Sequence, residues 1–154
     1  MKNNHPTYID NRGSFTSILL NQNDLNWDQV SISINEKPGT FRGLHYQTNP
    51  RQTKYIKVVQ GKIIDILYDL NTKEVSHFLV DNQSSVFVDS NKAHGFLTLE
   101  PNTVVVYLSK GSYNPSSEKS IVWDTIDEVK EILQDNLRKL NVDITISEKD
   151  EIGK

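Results

Sequence analysis

The segment Arg42-Gly43-Leu44-His45-Tyr46-Gln47 places an arginine, a histidine and a glutamine along one short stretch of extended backbone. It follows the turn signal Lys37-Pro38-Gly39-Thr40 and lies between two β-rich runs. A guanidinium suits a phosphate or a carboxylate, and an imidazole can take a proton near neutral pH. One strand therefore carries an anion anchor and a candidate base, although a solvated strand with a chance arginine and histidine would explain these residues alone.

Other side chains along the chain could join this chemistry, and each also has a plain structural explanation. Lys54 opens a strand and could point its ammonium into a barrel mouth or into solvent, and His94 could be a hydrogen-bonded structural histidine. Tyr107 ends an apolar run, so its ring should be buried and its hydroxyl needs a partner. Tyr113 lies in a loop, where it could stack on a flat ligand. Asp65 stands in an apolar strand and should neighbour a base or an arginine, because an unpaired buried carboxylate is costly.

A divalent metal site is the obvious alternative for a β-rich chain with histidines. The familiar pattern is His-x-His with a following glutamate, but His45 is followed by Tyr46 and Gln47. Two distant imidazoles without a nearby carboxylate make a poor ligand set, so we predict no metal. Phosphate-loop and dinucleotide glycine motifs and the nucleophile elbow are also missing from the sequence.

Composition limits the classes of protein that this chain can be. Its 154 residues suit a single domain over residues 1–154 with one core. The absence of cysteine excludes disulfides and thiolate chemistry. With a net charge of -3, the chain has no overall attraction for nucleic acid, so local cations must hold any anionic ligand. No apolar run is long enough to span a membrane and no signal-peptide core is visible, so we expect a cytoplasmic location.

Alternating and β-branched runs dominate residues 14 to 123, and turn residues separate them. The predicted strands are Phe15–Leu20, Gln29–Ile34, Gly43–Gln47, Lys54–Val59, Lys62–Asp69, Ser76–Val80, Ser85–Val88, Gly95–Leu99, Val104–Ser109 and Ser120–Val122. Such short, evenly spaced strands predict an antiparallel sandwich or barrel. The only helical periodicity runs from Ile126 to Leu140, and it predicts an amphipathic helix on the outside of the sheet, capped by Asp124 or Thr125. Residues 148–154 read as a charged tail.

Short motifs span residues 10 to 150. They are Asp10-Asn11-Arg12-Gly13-Ser14-Phe15, the Arg42–Gln47 segment, Gln52-Thr53-Lys54, Gly61-Lys62-Ile63-Ile64-Asp65, Ala93-His94-Gly95-Phe96, Tyr113-Asn114-Pro115-Ser116-Ser117-Glu118 and Ile146-Ser147-Glu148-Lys149-Asp150. In this order and nearly this spacing, they make the chain resemble the dTDP-4-dehydrorhamnose 3,5-epimerase family of cupins. The resemblance implies a mainly β fold, a cupin-type antiparallel β-barrel (jelly roll), here with a short C-terminal amphipathic helix. It also turns the charged tail into an element of the site.

The resemblance implies a role for each matching residue. His45 corresponds to the base that abstracts a proton, Asp150 to the carboxylate that orients it, Lys54 to the cation beside the keto oxygen, and Tyr107 to the acid on the opposite face. The positions implied to contact substrate are Arg12, Arg42, Gln47, His94, Tyr113, Glu118 and Lys149. Members of the family form homodimers that exchange N-terminal strands, which would place Arg12 in a neighbouring subunit's site.

These residue types suit a 4-keto sugar. Removing a hydrogen from C3 or C5 leaves an enolate whose charge lies on O4, where an ammonium stabilises it. The resemblance therefore predicts an isomerase that epimerises a nucleotide-diphosphate 4-keto-6-deoxysugar, with dTDP-4-dehydro-6-deoxyglucose expected, without metal, nicotinamide or flavin. The family's glutamate five residues after Arg12 is Ser17 here. The sequence leaves open the base, whether C3, C5 or both react, and two alternatives: a 3,4-ketoisomerase and a non-catalytic sugar-binding cupin.

Overall fold

Two facing antiparallel sheets make up most of the molecule. The computed structural model describes residues 7–19 and 27–153, and for residues 16–19 it describes the backbone alone. One sheet has six strands, in the order β1 (Thr7–Asp10), β2 (Gly13–Leu19), β3 (Gln29–Asn35), β10 (Thr103–Lys110), β5 (Thr53–Gln60) and β8 (Ser85–Val88). The other has five, in the order β11 (Glu118–Ser120), β4 (Phe41–Gln47), β9 (Lys92–Thr98), β6 (Ile63–Asp69) and β7 (Val75–Val80). The predicted mainly β, cupin-type jelly roll is confirmed.

Apolar side chains close one end of the space between the sheets. They are Ile56, Val58, Ile63, Leu67, Val80, Val88, Phe96, Val105 and Tyr107, all buried. The other end is lined by polar side chains, because β3 turns its polar residues toward the interior and its apolar residues away from it. Its polar residues Gln29, Ser31, Ser33 and Asn35 face inward and are buried, whereas Val30, Ile32 and Ile34 face outward. The barrel therefore has a dry closed end and a polar open end.

A second core forms where helix α1 (Asp127–Leu140) covers the outer face of the five-stranded sheet. Val129 and Leu133 of this helix are fully buried against Phe41, Leu44 and Leu97. The predicted amphipathic helix is confirmed, but the predicted cap is wrong. Ile126 is the N-cap and makes no side-chain cap bond. Residues Trp123–Thr125 form a 3-10 turn in which the Thr125 hydroxyl donates instead to the Val122 carbonyl at 2.6 Å.

The predicted charged tail is folded back onto the barrel. Residues Glu148–Ile152 form helix α2, whose N-cap Ser147 accepts a hydrogen bond from the Asp150 amide. A parallel bridge between Thr40 and Thr145 precedes it and ties the segment to the start of β4. This docking carries Asp150 into the barrel, where the residue is fully buried.

Among the described residues, the predicted strand limits lie within three residues of the observed ones, and the largest shift is at β9, which begins at Lys92 rather than Gly95. β1 was not predicted, because its four exposed residues Thr7–Asp10 show no inside–outside alternation. The last strand is Glu118–Ser120 rather than Ser120–Val122, since pairing with β4 aligns Glu118 with Gln47. Leu20, the predicted end of β2, lies outside the described residues. Within the parts of the chain that are described, no helix has the length and apolar character needed to cross a membrane.

Candidate active site

A cavity of about 520 Å³ opens between the two sheets at the polar end of the barrel. Most of the predicted site residues line it: Arg12, Arg42, His45, Lys54, His94, Tyr107, Tyr113, Glu118 and Lys149. His45 on β4 and His94 on β9 come from the five-stranded sheet, whereas Lys54 on β5 and Tyr107 on β10 come from the six-stranded sheet. Any molecule in the cavity therefore meets imidazoles on one side and an ammonium and a phenol on the other.

His45 is backed by a buried carboxylate. Its Nε2 lies 2.5 Å from Asp150 Oδ1, and the His45 side chain is 24% exposed toward the cavity. The second oxygen, Asp150 Oδ2, accepts from Arg12 Nη1 at 2.9 Å and from the Gly43 amide at 3.3 Å. Burial raises the pKa of Asp150, but the bond and charge of His45 and the charge of Arg12 outweigh it and hold that pKa below its usual range. Asp150 is therefore an ionised group that can orient the imidazole.

The lowered pKa of Asp150 makes the stability of the fold depend on pH. Because the pKa in the unfolded chain is higher, about 3.9, the carboxylate stabilises the fold above that pH and loses its contribution as the pH falls through the folded-state value. We expect Asp150→Asn to lower the free energy of unfolding by about 1–3 kcal/mol at pH 7, and by less near pH 3, which is below the pKa of this carboxyl in the unfolded chain. Urea unfolding at both pH values measures this difference, with the exposed Asp143→Asn as the control. An equal loss at the two pH values would contradict the ionic role.

Close contact between β4 and β9 explains the glycine that precedes His45. Gly43 has φ +127°, and a Cβ there would lie 2.5 Å from Gly95 Cα and 2.8 Å from the His94 carbonyl oxygen. Strand pairing aligns His45 with His94, with an irregularity in register between Arg42 and His45. Glycine thus lets the two strands approach and lets its amide reach Asp150.

Tyr107 presents its hydroxyl to the cavity from a nearly dry setting. The side chain is 9% exposed, its ring packs against Phe15 and Phe96, and its Oη lies 3.1 Å from Ser33 Oγ. Burial raises the pKa of Tyr107 to about 12, although the charge of Arg42 and the Ser33 bond act in the opposite direction. The phenol is therefore protonated at neutral pH and can serve as an acid.

Lys54 lies near Glu118, which forms a cluster with Lys149 and Tyr113 at the cavity mouth. Burial lowers the pKa of Lys54, and the nearby charge of Glu118 acts in the opposite direction. Glu118 itself accepts from Lys149 Nζ at 2.8 Å and from the Tyr113 hydroxyl at 3.2 Å. Through these two bonds Glu118 links the loop before β11 to helix α2. The C-terminal segment therefore forms part of the cavity mouth.

His94 has a buried carboxylate partner of its own. Its Nε2 lies 2.6 Å from Asp65 Oδ1, and the exposed fractions of the two residues are 4% and 0%. The prediction that Asp65 must neighbour a base or an arginine is confirmed. The pair places a second imidazole against the cavity, beside His45 in the strand register.

The two arginines are held differently. Arg42 is buried, its Nε donates to Asn35 Oδ1 at 2.7 Å, and burial lowers its pKa. Arg12 binds Asp10 through Nε and Nη2, and Asp150 of its own chain through Nη1. Pairing of β2 with β3 within one chain brings the β1–β2 turn over that chain's own cavity. The contribution of Arg12 to a neighbouring subunit's site stays a prediction.

Two predicted site residues do not line the cavity: Asp150, which is buried behind His45, and Gln47. The amide nitrogen of Gln47 donates to the carbonyls of Pro50 and Ser112 at 2.6 and 2.9 Å, and its oxygen accepts from the Asn114 amide at 2.8 Å. These bonds use the side chain to hold two loops together, and the substrate contact of Gln47 stays a prediction.

The cavity is also lined by residues to which the sequence assigned no role, namely Tyr8, Asp10, Gly13, Phe15, Gln29, Ser31, Gln52, Phe96 and Ser109. The polar residues of β3 could have been identified from the sequence, because Ser31 and Ser33 alternate with Val30, Ile32 and Ile34 and so predict one polar face of the strand. Among residues 7–19 and 27–153, no three histidine, aspartate or glutamate side chains cluster as metal ligands would. A shallower depression of about 1020 Å³ beside the end of α1 contains none of the predicted site residues.

Comparison with known proteins shows which family this chain is similar to. A family model described as dTDP-4-dehydrorhamnose 3,5-epimerase matches residues 4–154. The Methanothermobacter thermautotrophicus protein of that name is 30% identical over 158 residues, which cover 93% of this chain and 82% of that protein. The Mycobacterium tuberculosis protein of that name is 33% identical over 129 residues, which cover 74% of this chain but only 63% of the relative.

A solved structure extends the comparison to the fold. The crystal structure of dTDP-4-dehydrorhamnose 3,5-epimerase from Bacillus anthracis, with TDP and PPi bound, is 30% identical to this chain, with a TM-score of 0.66. The match covers 96% of this chain and 89% of the Bacillus anthracis chain.

Proposed function

The chain belongs to the dTDP-4-dehydrorhamnose 3,5-epimerase family, and from this membership and the geometry of the cavity we propose that it epimerises a nucleotide-diphosphate 4-keto-6-deoxysugar at C3, C5 or both. The proposed substrate is dTDP-4-dehydro-6-deoxyglucose, and the proposed role is deoxysugar biosynthesis in the cytoplasm. The whole chain, residues 1–154, acts in this proposal as one catalytic domain.

One observation carries the proposal: a base and an acid line the same cavity from opposite sheets. His45, backed by Asp150, comes from β4, and Tyr107 comes from β10. Epimerisation requires a proton to leave one face of a carbon and a proton to return to the other face. A sugar ring held between the sheets would meet these two groups on its two faces.

The proposed sequence of proton transfers uses only side chains of this chain. His45 takes the hydrogen from the carbon beside the C4 carbonyl, and the electron pair of the C–H bond moves onto O4 as an enolate. Lys54 stabilises this charge, because a preorganised ammonium in a half-buried site interacts strongly with an oxyanion. Tyr107 then gives its proton to the same carbon from the other side, and the carbonyl re-forms with inverted configuration.

Cations near the cavity suit the diphosphate of the substrate. Arg12, Arg42 and Lys149 line the cavity, so a protein with a net charge of -3 still offers a locally positive site. The Bacillus anthracis relative holds TDP and PPi. We therefore propose that the thymidine diphosphate portion of the substrate binds beside Arg12, Arg42 and Lys149.

The test is incubation with several nucleotide 4-keto-6-deoxysugars in heavy water, following deuterium and configuration at C3 and C5. We expect deuterium to enter with inversion at one or both carbons. A carbonyl that moves from C4 to C3 would instead indicate a 3,4-ketoisomerase. A lack of reaction with every sugar, together with binding of the same sugars, would indicate a sugar-binding cupin.

We further propose a homodimer formed through the outer face of the six-stranded sheet. That face is apolar where the register brings together Val30, Ile32, Ile34, Tyr55, Phe87, Val104, Val106 and Leu108. Tyr55 and Phe87 are 37% and 57% exposed, so aromatic rings at one side of this face lie open to a partner. An exposed apolar patch of this kind is typical of an interface between protein chains, and in a two-fold homodimer the same patch of both subunits would meet.

Light scattering on the purified chain is expected to give twice the chain mass of 17.6 kDa. Val106→Lys places a charge in the middle of the apolar face, so it should produce monomers. Leu79→Lys is the matched control, because Leu79 is 64% exposed on β7 of the other sheet. A wild-type monomer at working concentrations, or a Val106→Lys dimer, would contradict the proposed interface.

A further inference from the structure

A line of buried polar side chains runs behind the cavity wall from Arg42 to Tyr107. Arg42 Nε donates to Asn35 Oδ1 at 2.7 Å, and Asn35 Nδ2 donates to Ser33 Oγ at 3.3 Å. Ser33 Oγ in turn lies 3.1 Å from Tyr107 Oη. Ser33 and Asn35 are each 0% exposed, so these bonds form without competition from solvent.

The direction of the hydrogen bonds in this line follows from the chemistry of its members. A guanidinium can only donate, so the Asn35 oxygen must face Arg42. The two hydrogens of Asn35 Nδ2 are then given to Ser33 Oγ and to the Thr103 carbonyl, the latter at 3.0 Å. Ser33 Oγ already accepts from Asn35, which leaves its own hydrogen to be donated.

We propose that Ser33 is a positioning residue that donates its hydrogen to the Tyr107 hydroxyl, so that the phenol's own hydrogen points into the cavity. A chain of donors that all point the same way is strengthened by mutual polarisation, and this favours donation from Ser33 over the reverse. If Tyr107 donated to Ser33 instead, its hydrogen would point away from the cavity and the phenol could not act as an acid without turning.

Ser33 would also act after the proton has left. When the O–H bond of Tyr107 breaks and the new C–H bond forms, the negative charge stays on the phenolate oxygen, and the Ser33 hydrogen then makes a bond to a charged acceptor. The charged groups that act on this phenol are Arg42 and Arg12, which favour the phenolate, and Asp65, which opposes it. Water then returns to Tyr107 the proton that His45 has taken, which restores both groups.

This inference rests on the proposed function for the role of Tyr107, but the hydrogen bond itself can be tested without substrate. Difluorotyrosine, whose phenol ionises well below that of tyrosine, is placed at position 107 by nonsense suppression, and its ionisation is followed by fluorine NMR. We expect Ser33→Ala to raise the pKa of this phenol by about one to two pH units, because a bond to a charged acceptor is lost. Ser33→Thr, which keeps a hydroxyl, should leave that pKa unchanged.

Turnover supplies the second readout. With natural Tyr107, we expect Ser33→Ala to lower the inversion rate by about 10–100-fold while deuterium washout continues, and Ser33→Thr to restore inversion. Thr98→Val is the control, because it also deletes a buried hydroxyl, one on β9 of the five-stranded sheet that donates to the Lys37 carbonyl. Should Ser33→Ala fold poorly, Ser33→Cys keeps the volume with a weak donor, and its fluorine titration should shift in the same direction.

The outcomes separate the two proposals. A pKa that is the same in wild type, Ser33→Ala and Ser33→Cys would overturn the donor role of Ser33. A pKa that shifts as expected, in a protein that neither exchanges nor inverts any 4-keto sugar, would support the Ser33 donation and reject the epimerase activity.

Discussion

Replacing His45 with asparagine is expected to abolish deuterium exchange and inversion together, at every carbon that reacts in the wild type. Asparagine cannot take a proton near neutral pH, so the enolate no longer forms. A positioned base is worth about 10²–10⁴-fold, and both rates should fall by at least that factor. His45→Ala should behave in the same way, because it also removes the imidazole.

The fold of His45→Asn should survive. His45 is partly exposed to the cavity, and after its loss Asp150 keeps Arg12 at 2.9 Å and the Gly43 amide at 3.3 Å. His77→Asn is the matched control, because His77 is an exposed histidine on β7. Exchange at the wild-type rate in His45→Asn would remove His45 from the proposed mechanism.

Asp150→Asn should reduce both rates by a smaller factor than His45→Asn, because the imidazole keeps its basicity without the carboxylate that orients it. If Asp150→Asn left both rates unchanged, the position of Asp150 behind His45 would be structural only. The His94–Asp65 pair, the other imidazole and carboxylate beside the cavity, would then be the next candidate base.

Local patterns in the sequence predicted those parts of the fold that depend on local physics. Helical periodicity identified α1, because Val129 and Leu133 recur at the spacing that places them on one buried face. The cost of an unpaired carboxylate predicted a partner for Asp65, although it could not distinguish His94 from an arginine. Both predictions use rules that act within one element or on one buried group.

Contacts between distant segments were beyond such rules. Asp150 lies in a short stretch of mixed charge, and only docking of α2 against β4, more than a hundred residues earlier in the chain, makes it a partner of His45. Gln47 sits in the same strand as His45, yet its side chain is committed to loop carbonyls from Pro50 and Ser112. Neighbouring loops decide whether a polar side chain on a strand contacts a ligand or makes a structural hydrogen bond, and the periodicity of the strand does not describe those loops.

Replacing Tyr107 with phenylalanine is expected to separate exchange from inversion. The substitution removes the acid on the six-stranded sheet but leaves His45 and Lys54 in place on the cavity wall. His45 can still take a proton, exchange it with solvent and return it to the same face. Deuterium should therefore enter the substrate with unchanged configuration, while inversion falls by about 10²–10⁴-fold.

The competing explanation treats Tyr107 as an ordinary core residue. Its ring packs between Phe15 and Phe96, and its hydroxyl has a partner in Ser33, as a structural tyrosine would require. On that explanation, Tyr107→Phe would lose about 1 kcal/mol of unfolding free energy from one hydrogen bond, and the two rates would decline together or not at all. Tyr68→Phe, a substitution on β6 outside the cavity, supplies the baseline for both measurements.

The ratio of the two rates decides between these explanations better than either rate alone. A general loss of packing changes the population of competent enzyme, and it lowers exchange and inversion by the same factor. Loss of a group that delivers a proton to one face acts only after the enolate has formed, so it lowers inversion and spares exchange. Because both rates are read in one sample of substrate, the ratio does not depend on how much active protein the variant contains. A ratio equal to that of the wild type would remove Tyr107 from the mechanism, whatever the size of the loss in each rate.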